Sequence, residues 1–540
     1  MGRFHDVDAE PRDSHAPQDA SEPPVQVRWR DLPNKDQLFI IALCRLSAPL
    51  SNVSLLPYVF YLVKSALGAA QDGETVDDDA ARVAEYSGIL VAAFPLAQFA
   101  VSLPWGRLSD RYGRRVSILS GLTISILANV GFGLSRSIGA LMFWRVVAGL
   151  GNANVGLMRT ATAETVKERK YHTKAFLLMP LIFKPGMVVT LALSGYLAEP
   201  VVNMPWLFGP DGVFNTTGDP SGVKWAIQYP YALPALVTAA VLGCSLILAV
   251  LGLKETLPGM ESHTDLGLRA GAAFVRLIRR LKPSRWNHDY MAVNDKEDTS
   301  VEETDLCDEK PEFTEIKPKQ AMPFRQVWTR TVVCSLVSFG LLPLHNSAFM
   351  HIFPVYLSSP PSDNAEATLV KFTGGLGLRS KAIGLWLSVF SICGILLQLF
   401  IYPRLQARLG TRGVFRIALI IFPITYAAAP FLSLSTKGSK MEWVFLGLVI
   451  CSQIMARTIA IPSTVILLTQ AAPHKKVLGT IHGGGNMVAS LARAVGPAVG
   501  GYMFAIGMEN GVVGLVWWFY LMVIAIWALV WSYYMDTGDP

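Results

Sequence analysis

Ionisable side chains inside long apolar segments are the residues of this sequence with the clearest chemical potential. A charge at membrane depth is expensive, so such residues usually face a polar cavity or pair with another group. Histidine adds a titratable group, because its unperturbed pKa of about 6.5 lies in the physiological range. The candidates for solute binding or coupling are Arg45, Arg145, Lys184, His345, His351, Arg457, His482 and Arg493.

A purely structural role is open for every one of these cations. A long basic side chain near a helix end can extend to the membrane surface, and a deeper one can hold backbone carbonyls. Arg159, beside the end of its segment, fits a structural strut better, whereas Arg145 lies deeper and fits a functional role.

Carboxylates are scarce at the same depth. Glu85, Glu164 and Glu199 fall near segment ends, and no acid lies at the middle of an apolar segment. A cavity lined by these residues would be basic, which favours an anion or zwitterion over a bare metal cation. The histidines are scattered and lack an acidic cluster beside them, so the sequence predicts no metal site and no cofactor.

The segments that must position these residues are membrane helices. Hydrophobic residues make up 51% of the 540 and charged residues 16%, against roughly 25% charged in soluble domains. Repeated apolar runs of about 20 residues each match the thickness of a bilayer. Twelve candidate spans lie near 37–67, 84–105, 114–135, 138–160, 173–198, 229–253, 328–357, 381–403, 413–434, 442–468, 477–506 and 511–534.

This layout predicts an all-α integral membrane protein with two pseudo-symmetric six-helix bundles. The expected divisions are a disordered tail at 1–36, bundles at 37–253 and 328–534, a linker at 254–327 and a tail at 535–540. The net charge of +7 and pI of 9.0 do not indicate nucleic acid, since the cations cluster in loops beside apolar helices. The expected partners are a small solute and the lipid bilayer, and a monomer is expected.

One basic loop sets the orientation. Trp105-Gly-Arg-Leu-Ser-Asp-Arg-Tyr-Gly-Arg-Arg115 carries four arginines between two apolar runs. Basic loops stay on the cytoplasmic side, so this loop and both termini are predicted to be cytoplasmic. Asn215-Thr-Thr217 then falls in an outer loop, where Asn215 is a candidate glycan acceptor.

The basic loop has an internal echo. The pattern Arg107-Leu-x-x-Arg-x-Gly-x-Arg115 recurs as Arg404-Leu-x-x-Arg-x-Gly-x-Arg412, 297 residues later, after the second span of each half. Shared leucine, glycine and order favour duplication over chance basic matches. Duplicated halves are one transporter architecture, with the substrate site between them near the midplane.

These motifs resemble those of the major facilitator superfamily. Gly106–Arg115 is similar to its loop between helices two and three, and Leu141-Met-Phe-Trp-Arg-Val-Val-Ala-Gly-Leu-Gly151 to the fourth-helix motif of its proton-antiporter branch. Arg45-Leu46 and Ser490-Leu-Ala-Arg-Ala-Val-Gly-Pro-Ala-Val-Gly-Gly501 resemble the zinc-induced-facilitator-like group of plants and fungi within that branch.

The resemblance implies a cytoplasmic gate. The matching aspartate of the superfamily bridges toward helix eleven when the cytoplasmic side closes, and this role carries over to Asp110. The alternative is that the arginines only fix topology. Glycines permit a close helix approach at Gly106 and a turn at Gly113. The gate motif comprises Gly106, Asp110, Arg111, Gly113, Arg114 and Arg115.

Two other positions bear on mechanism. Gly496, Pro497, Gly500 and Gly501 predict a kink and close packing in helix eleven, with direct substrate contact as the alternative. The fifth-helix stretch Lys184–Gly195 lacks the Gly-Pro and paired glycines expected of an antiporter.

Coupling residues also depart from the related group. Ala48 and Met350 stand where that group has acids, so the histidines are alternative titratable groups and proton coupling stays open.

The leading functional hypothesis is a secondary-active transporter in the plasma or vacuolar membrane that moves a small organic solute by alternating access. The solute is expected to be anionic, zwitterionic or amphiphilic. A solute sensor or scaffold with the same fold is the alternative. An enzyme is not expected, because the sequence has no nucleophile–base set or phosphate loop.

Replacing Asp110 with asparagine is expected to lower transport while membrane insertion stays intact. The amide preserves the shape of the side chain but removes the charge that a gate contact needs. Flux in reconstituted vesicles, together with the yield of inserted protein, measures this. Flux equal to that of the parent would reduce the loop to a topology signal.

Overall fold

The structure is a computed structural model. It describes residues 32–68, 80–152, 155–166, 169–216, 218–257, 266–281, 327–362, 368–434, 439–473 and 477–535. The predicted tails at 1–36 and 535–540 lie almost wholly outside these residues, and the predicted linker at 254–327 lies partly outside them.

The first half of the chain contributes twelve helices to the described residues. They are α1 Lys35–Cys44, α2 Val59–Gly68, α3 Ala80–Tyr112, α4 Arg114–Gly133, α5 Ile138–Gly151, α6 Val155–Thr165, α7 Arg169–Leu197, α8 Pro200–Asn203, α9 Pro205–Phe208, α10 Lys224–Gln228, α11 Ala232–Gly252 and α12 Leu266–Leu281. A π-helical segment, Pro49–Val53, lies between α1 and α2.

The second half contributes six long helices. They are α13 Arg330–Ser358, α14 Ser380–Leu396, α15 Tyr402–Ala428, α16 Lys440–Gln470, α17 Leu478–Glu509 and α18 Val523–Tyr534. Two π-helical segments, Leu397–Ile401 and Val516–Met522, extend α14 and precede α18, and a 3-10 segment, Ala429–Leu434, follows α15.

Seven stretches of the described residues are long and apolar enough to cross a membrane. One of them, Ser380–Leu434, has 55 residues, far more than the roughly 20 that one span needs. Its backbone breaks at Gly410, where φ is +68°, so it forms two spans. The predicted all-α membrane fold is confirmed.

The helices pack as two groups. In the N bundle, α4 packs on α11 and α5, and α3 packs on α5. In the C bundle, α13 packs on α17 and α15 packs on α16. The C bundle has an aromatic core in which Phe349, Phe353 and Tyr356 of α13 surround Trp517 at ring-centroid distances of 5.5, 6.2 and 5.8 Å.

Hydrogen bonds between helix ends mark two faces of the molecule. The motif face is the one that carries the basic loop Trp105–Arg115. There, Asn34 donates to the Thr165 carbonyl at 3.1 Å and Gln37 donates to the Gly252 carbonyl at 2.7 Å. On the opposite face, Tyr61 donates to the Leu378 carbonyl at 2.7 Å and so joins the two bundles.

A hydrogen bond between Tyr231 and Glu199 also lies on the opposite face. Tyr231 donates its hydroxyl to Glu199 at 2.9 Å. This hydrogen bond ties the end of α7 to the start of α11.

Reciprocal glycine contacts join the bundles close to the opposite face. A Cβ on Gly88 of α3 would lie 2.6 Å from the Pro497 carbonyl oxygen, and one on Gly501 would lie 2.9 Å from the Gly88 Cα. The pair Gly195 of α7 and Gly384 of α14 repeats this crossing, with Cβ-to-Cα distances of 2.9 and 3.0 Å. Helices α3 and α17 thus cross in the same way as α7 and α14, which agrees with a duplication of the two halves.

Within the predicted linker at 254–327, Leu266–Leu281 is a helix. Gly267 and Gly271 lie against the end of α11, since a Cβ on Gly267 would come within 2.7 Å of the Val250 carbonyl oxygen. Composition averaged over the whole linker hides this local amphipathic period.

Gly88→Ala is expected to weaken closure of the opposite face. The added methyl group meets the Pro497 carbonyl, and overpacking of this kind costs about 1–3 kcal/mol. Spin labels at Ser65 and Ser362, in a cysteine-free background, should report a larger share of long distances across this face.

Gly243→Ala is the matched control, because no atom lies within 4 Å of the Cβ position at Gly243 of α11. An unchanged distance distribution in Gly88→Ala would contradict the crossing as a closure contact.

Candidate substrate site

A cavity of about 650 Å³ lies between the two bundles. Its walls come from α1, α6 and α7 of the N bundle and from α13, α14 and α16 of the C bundle. The polar lining residues are Arg45, Arg159, Lys184, Ser391, Gln398, Gln453, Arg457 and Thr458. The lining reaches Arg159 and Ile466, close to the motif-face ends of α6 and α16.

Positive charge dominates this central cavity. Among the described lining residues, four are cationic and none is an aspartate or glutamate. Arg45 and Arg159 repel one another, and so do Lys184 and Arg457. Like charges in a medium of low dielectric repel more strongly than in water, so an anion at this position would be strongly favoured.

The cations are held by weak, uncharged contacts. The Arg45 guanidinium lies 4.9 Å from the centroid of the Phe183 ring, a cation–π arrangement. The Arg457 Nη1 lies 3.4 Å from the Met350 Sδ. These contacts orient the side chains without neutralising them, so the charge stays available to a ligand.

Apolar residues form most of the remaining surface. Phe183 and Met187 of α7 and Phe349 and Phe353 of α13 all line the cavity. A ligand that fills the space must therefore combine a negative group with an apolar body.

The gate motif is intact on the motif face. Asp110 accepts from the Arg114 Nη1 at 2.5 Å, and the Arg114 Nη2 reaches the Glu164 Oε1 at 3.2 Å. The turn predicted at Gly113 is present, with φ at +100°. Glu255 accepts from the backbone N–H of Arg114 at 2.8 Å, and so caps the start of α4.

The loop of the predicted gate motif is partly exposed. The Asp110 side chain is 66% exposed and bonds within its own loop rather than to α17. The close helix approach predicted at Gly106 is not present here, since no atom lies within 4 Å of its Cβ position. The same helix, α3, makes its close contact with α17 at its other end, near Gly88.

Residues 41–361 match the sequence profile of the Major Facilitator Superfamily. The chain belongs to the major facilitator superfamily. The superfamily multidrug transporter mfsB of Aspergillus fumigatus is 32% identical over 95% of this chain and 85% of its own length. The match confirms the predicted superfamily, and the protein is a membrane transport protein rather than an enzyme.

The predicted branch is also confirmed. Protein ZINC INDUCED FACILITATOR-LIKE 1 of Arabidopsis thaliana is 23% identical over 87% of this chain and 83% of its own length. Among solved structures, the human organic anion transporter MFSD10 aligns with a TM-score of 0.55, covering 93% of this chain and 99% of its own. At 15% identity, this likeness concerns the fold.

The structure places Arg145 away from the central cavity of this transporter. Its Nη1 donates to the Ser51 carbonyl at 2.7 Å and its Nη2 to the Asn52 Oδ1 at 3.1 Å. The guanidinium also packs on the Phe94 ring at 5.1 Å. Arg145 therefore binds the π-helical segment of the first span, where the backbone hydrogen bonds of the helix are irregular.

Arg493 lies outside the central lining. Its Nη2 donates to the Ser490 Oγ at 2.9 Å, and its charge acts on Arg45. It thus adds to the positive field from the neighbouring helix α17.

The three candidate histidines also lie outside the central lining. His345 is fully buried, with its Nδ1 2.7 Å from the Tyr426 hydroxyl. His351 is buried, and neither ring nitrogen has a hydrogen-bond partner among the described residues. His482 pairs with the Thr469 hydroxyl at 3.1 Å near the motif face.

The small residues predicted to kink helix eleven lie in α17, where they pack against α13. A Cβ on Gly496 would collide with the Leu344 carbonyl oxygen, and one on Gly500 would lie 2.6 Å from the Ile352 Cδ1. Neither these two glycines nor Pro497 and Gly501 line the central cavity. The remaining gate residue, Arg111, lies over the Tyr112 ring at 5.5 Å.

The glycan candidate Asn215 lies in the loop between α9 and α10. Its side-chain amide donates to the Pro210 carbonyl at 2.7 Å and to the Asp219 carbonyl at 2.8 Å. A glycan would have to replace at least one of these bonds, so occupancy of the site stays a prediction.

Sequence reasoning missed three contributors. Arg159 was expected to be a strut, but it is exposed and lines the central cavity. Glu164, near a segment end, and Glu255, in the predicted linker, both bond to Arg114 of the predicted gate motif. Only the position of Glu164 and Glu255 near the ends of spans that flank basic loops signals the pairing in the sequence.

Arg145→Met is expected to lower stability, whereas Arg159→Met should lower ligand affinity alone. The first change leaves buried acceptors at Ser51 and Asn52 unsatisfied, at about 1–3 kcal/mol for each. The second removes an exposed charge, which usually changes stability by less than about 0.5 kcal/mol. Thermal unfolding in detergent separates the two, and equal unfolding midpoints would contradict the strut role of Arg145.

Proposed function

We propose that this chain is a secondary-active carrier for small organic anions that have an apolar portion, working by alternating access. The observation that supports this most directly is the central cavity with four cations, no acid among its described lining residues and aromatic walls. A cation substrate would meet repulsion there, and a strongly hydrophilic anion would gain nothing from the aromatic surface.

The charge arrangement suggests how a ligand drives the cycle. In the empty cavity, the pairs Arg45–Arg159 and Lys184–Arg457 repel each other. Lys184 and Arg457 belong to different bundles, and Arg493 of the C bundle acts on Arg45 of the N bundle, so bringing the bundles together at the motif face concentrates positive charge. A bound anion offsets this cost, and we propose that motif-face closure is favoured only when the anion is present.

Orientation follows from the basic loops. We propose that the motif face is cytoplasmic and that this state receives its substrate from the cytoplasm. Asp110, which is exposed and pairs with the buried Arg114, would then change partners when the gate closes. Residence in the plasma or vacuolar membrane, as a monomer, remains part of this proposal.

The relatives support a carrier of organic compounds. The related mfsB is named a multidrug transporter, and a polyspecific cavity fits aromatic and methionine side chains such as Phe183 and Met187. The fold-level likeness to an organic anion transporter agrees with the charge of the cavity, although the charge itself carries the argument.

Lys184→Met and Arg457→Met are each expected to slow uptake of 2-naphthoate into proteoliposomes by about tenfold. Each removes one charge-assisted contact with the carboxylate, of roughly 1.5–3 kcal/mol. Lys224→Met is the control, because that lysine is 74% exposed and pairs with Asp219 in the loop before α10.

The same assay separates the open alternatives. Uptake that accelerates under a pH gradient indicates proton coupling, and equal uptake indicates uniport. Saturable binding without uptake would favour a sensor over a carrier. Parent-like uptake in both cavity variants would overturn the proposed anion site.

A further inference from the structure

A basic amphipathic helix lies outside both the gate motif and the central cavity. Helix α12, Leu266–Leu281, carries four arginines and no acidic residue, and its remaining residues are all apolar or glycine. Its charged and apolar residues are strongly segregated between two faces. This combination is typical of a helix that lies in the surface of a membrane rather than across it.

The two faces of α12 have different surroundings. Arg269 and Arg276 share one face, because seven residues make nearly two helical turns, and both side chains are exposed. Gly267 and Gly271 lie one turn apart on the other side, and Gly271 is buried. The Arg276 Nε donates to the Ala272 carbonyl at 3.3 Å, which uses one of the five N–H donors of the guanidinium.

The glycine face is fixed to the end of a membrane span. A Cβ on Gly267 would lie 2.7 Å from the Val250 carbonyl oxygen, and one on Gly271 would collide with the Leu251 carbonyl oxygen. The Arg115 Nη2 donates to the same Val250 carbonyl at 2.8 Å. Since α11 has 21 residues, about the length that crosses the hydrocarbon core, this contact places α12 at the level of the headgroups.

This end of α11 also lies on the outer surface of the N bundle. Ile247 and Leu248, in the turn before the contact with α12, are apolar and are 61% and 43% exposed. On a membrane span, exposed apolar side chains of this kind face the lipid chains. Helix α12 is therefore docked at the rim of the bundle, where the bilayer surface begins.

We propose that α12 is a membrane-surface helix that binds the headgroups of anionic phospholipids in the motif-face leaflet through Arg269 and Arg276. A guanidinium donates charge-assisted hydrogen bonds to lipid phosphate, and basic helices beside a membrane span are attracted to anionic leaflets. An acidic soluble protein would match the charge as well, but it would not account for attachment of the helix at the lipid-facing rim. The proposal is independent of the solute in the central cavity.

The test uses the full-length protein in a cysteine-free background, with a bimane fluorophore at Ala273→Cys, an exposed position between the two arginines. The protein is reconstituted in phosphatidylcholine vesicles that contain increasing amounts of acyl-chain spin-labelled phosphatidylglycerol or, separately, spin-labelled phosphatidylcholine. Quenching of the bimane then gives the apparent affinity of each lipid at this helix. We expect phosphatidylglycerol to quench at lower content than phosphatidylcholine.

R269Q and R276Q are each expected to weaken the apparent affinity for phosphatidylglycerol by about fivefold, because each removes one basic residue beside an anionic surface. R408Q is the matched control. Arg408 is exposed on the motif face, but it belongs to α15 of the other bundle, so its loss changes the net charge equally and leaves α12 intact.

A preference for phosphatidylglycerol that falls in R269Q and R276Q and persists in R408Q, with unfolding midpoints equal to the parent, supports the proposal. Equal quenching by the two lipids in the parent, or a parent-like preference in both α12 variants, overturns it. A chain that lacks residues 297–315 tests the acidic run of the linker. Quenching that appears only in this shortened chain means that the acidic run occupies the arginines, and it also overturns the proposal.

Discussion

Repulsion among cations in the central cavity is the interaction on which the rest of this transporter depends. Arg45, Arg159, Lys184 and Arg457 converge from both bundles without an acidic partner among the described lining residues. Such an arrangement is costly in a membrane protein unless water or a ligand compensates it. The cavity reaches toward the motif face in this state, which gives the charges access to solvent, and the anion proposed as substrate would replace that solvent when the gate closes.

The two bundles can hold this strain because they meet elsewhere through close backbone contacts. Gly88 against Gly501, and Gly195 against Gly384, bring four helices together near the opposite face with no side chain between them. Backbone-to-backbone contact depends on dispersion and on small residues, which is how helices associate in lipid. In the proposed alternating-access cycle, these contacts on one face and the repelling charges nearer the other face favour different states.

Much of this architecture is predictable from the sequence. The apolar runs and the basic loops between them indicate the membrane spans. The repetition of the loop pattern Arg107–Arg115 at Arg404–Arg412 indicates the duplication. The charges of the site, at Arg45, Lys184 and Arg457, follow from their cost in lipid. The sequence does not reveal which way an arginine side chain points. Arg145 bonds to the Ser51 carbonyl and Arg159 lines the cavity, which is the reverse of the roles expected for them. Helix rotation and an irregular π segment decide this, and neither leaves a clear pattern in one sequence.

The most direct test of the account is the equilibrium affinity of the unmodified protein for three ligands of one shape: 2-naphthoate, neutral 2-naphthamide and cationic 2-naphthylmethylammonium. The account predicts that the anion binds at least about tenfold more tightly than the amide, that the cation binds most weakly, and that added salt narrows the differences. Equal affinities, or a preference for the cation, would contradict a cavity governed by Arg45, Arg159, Lys184 and Arg457.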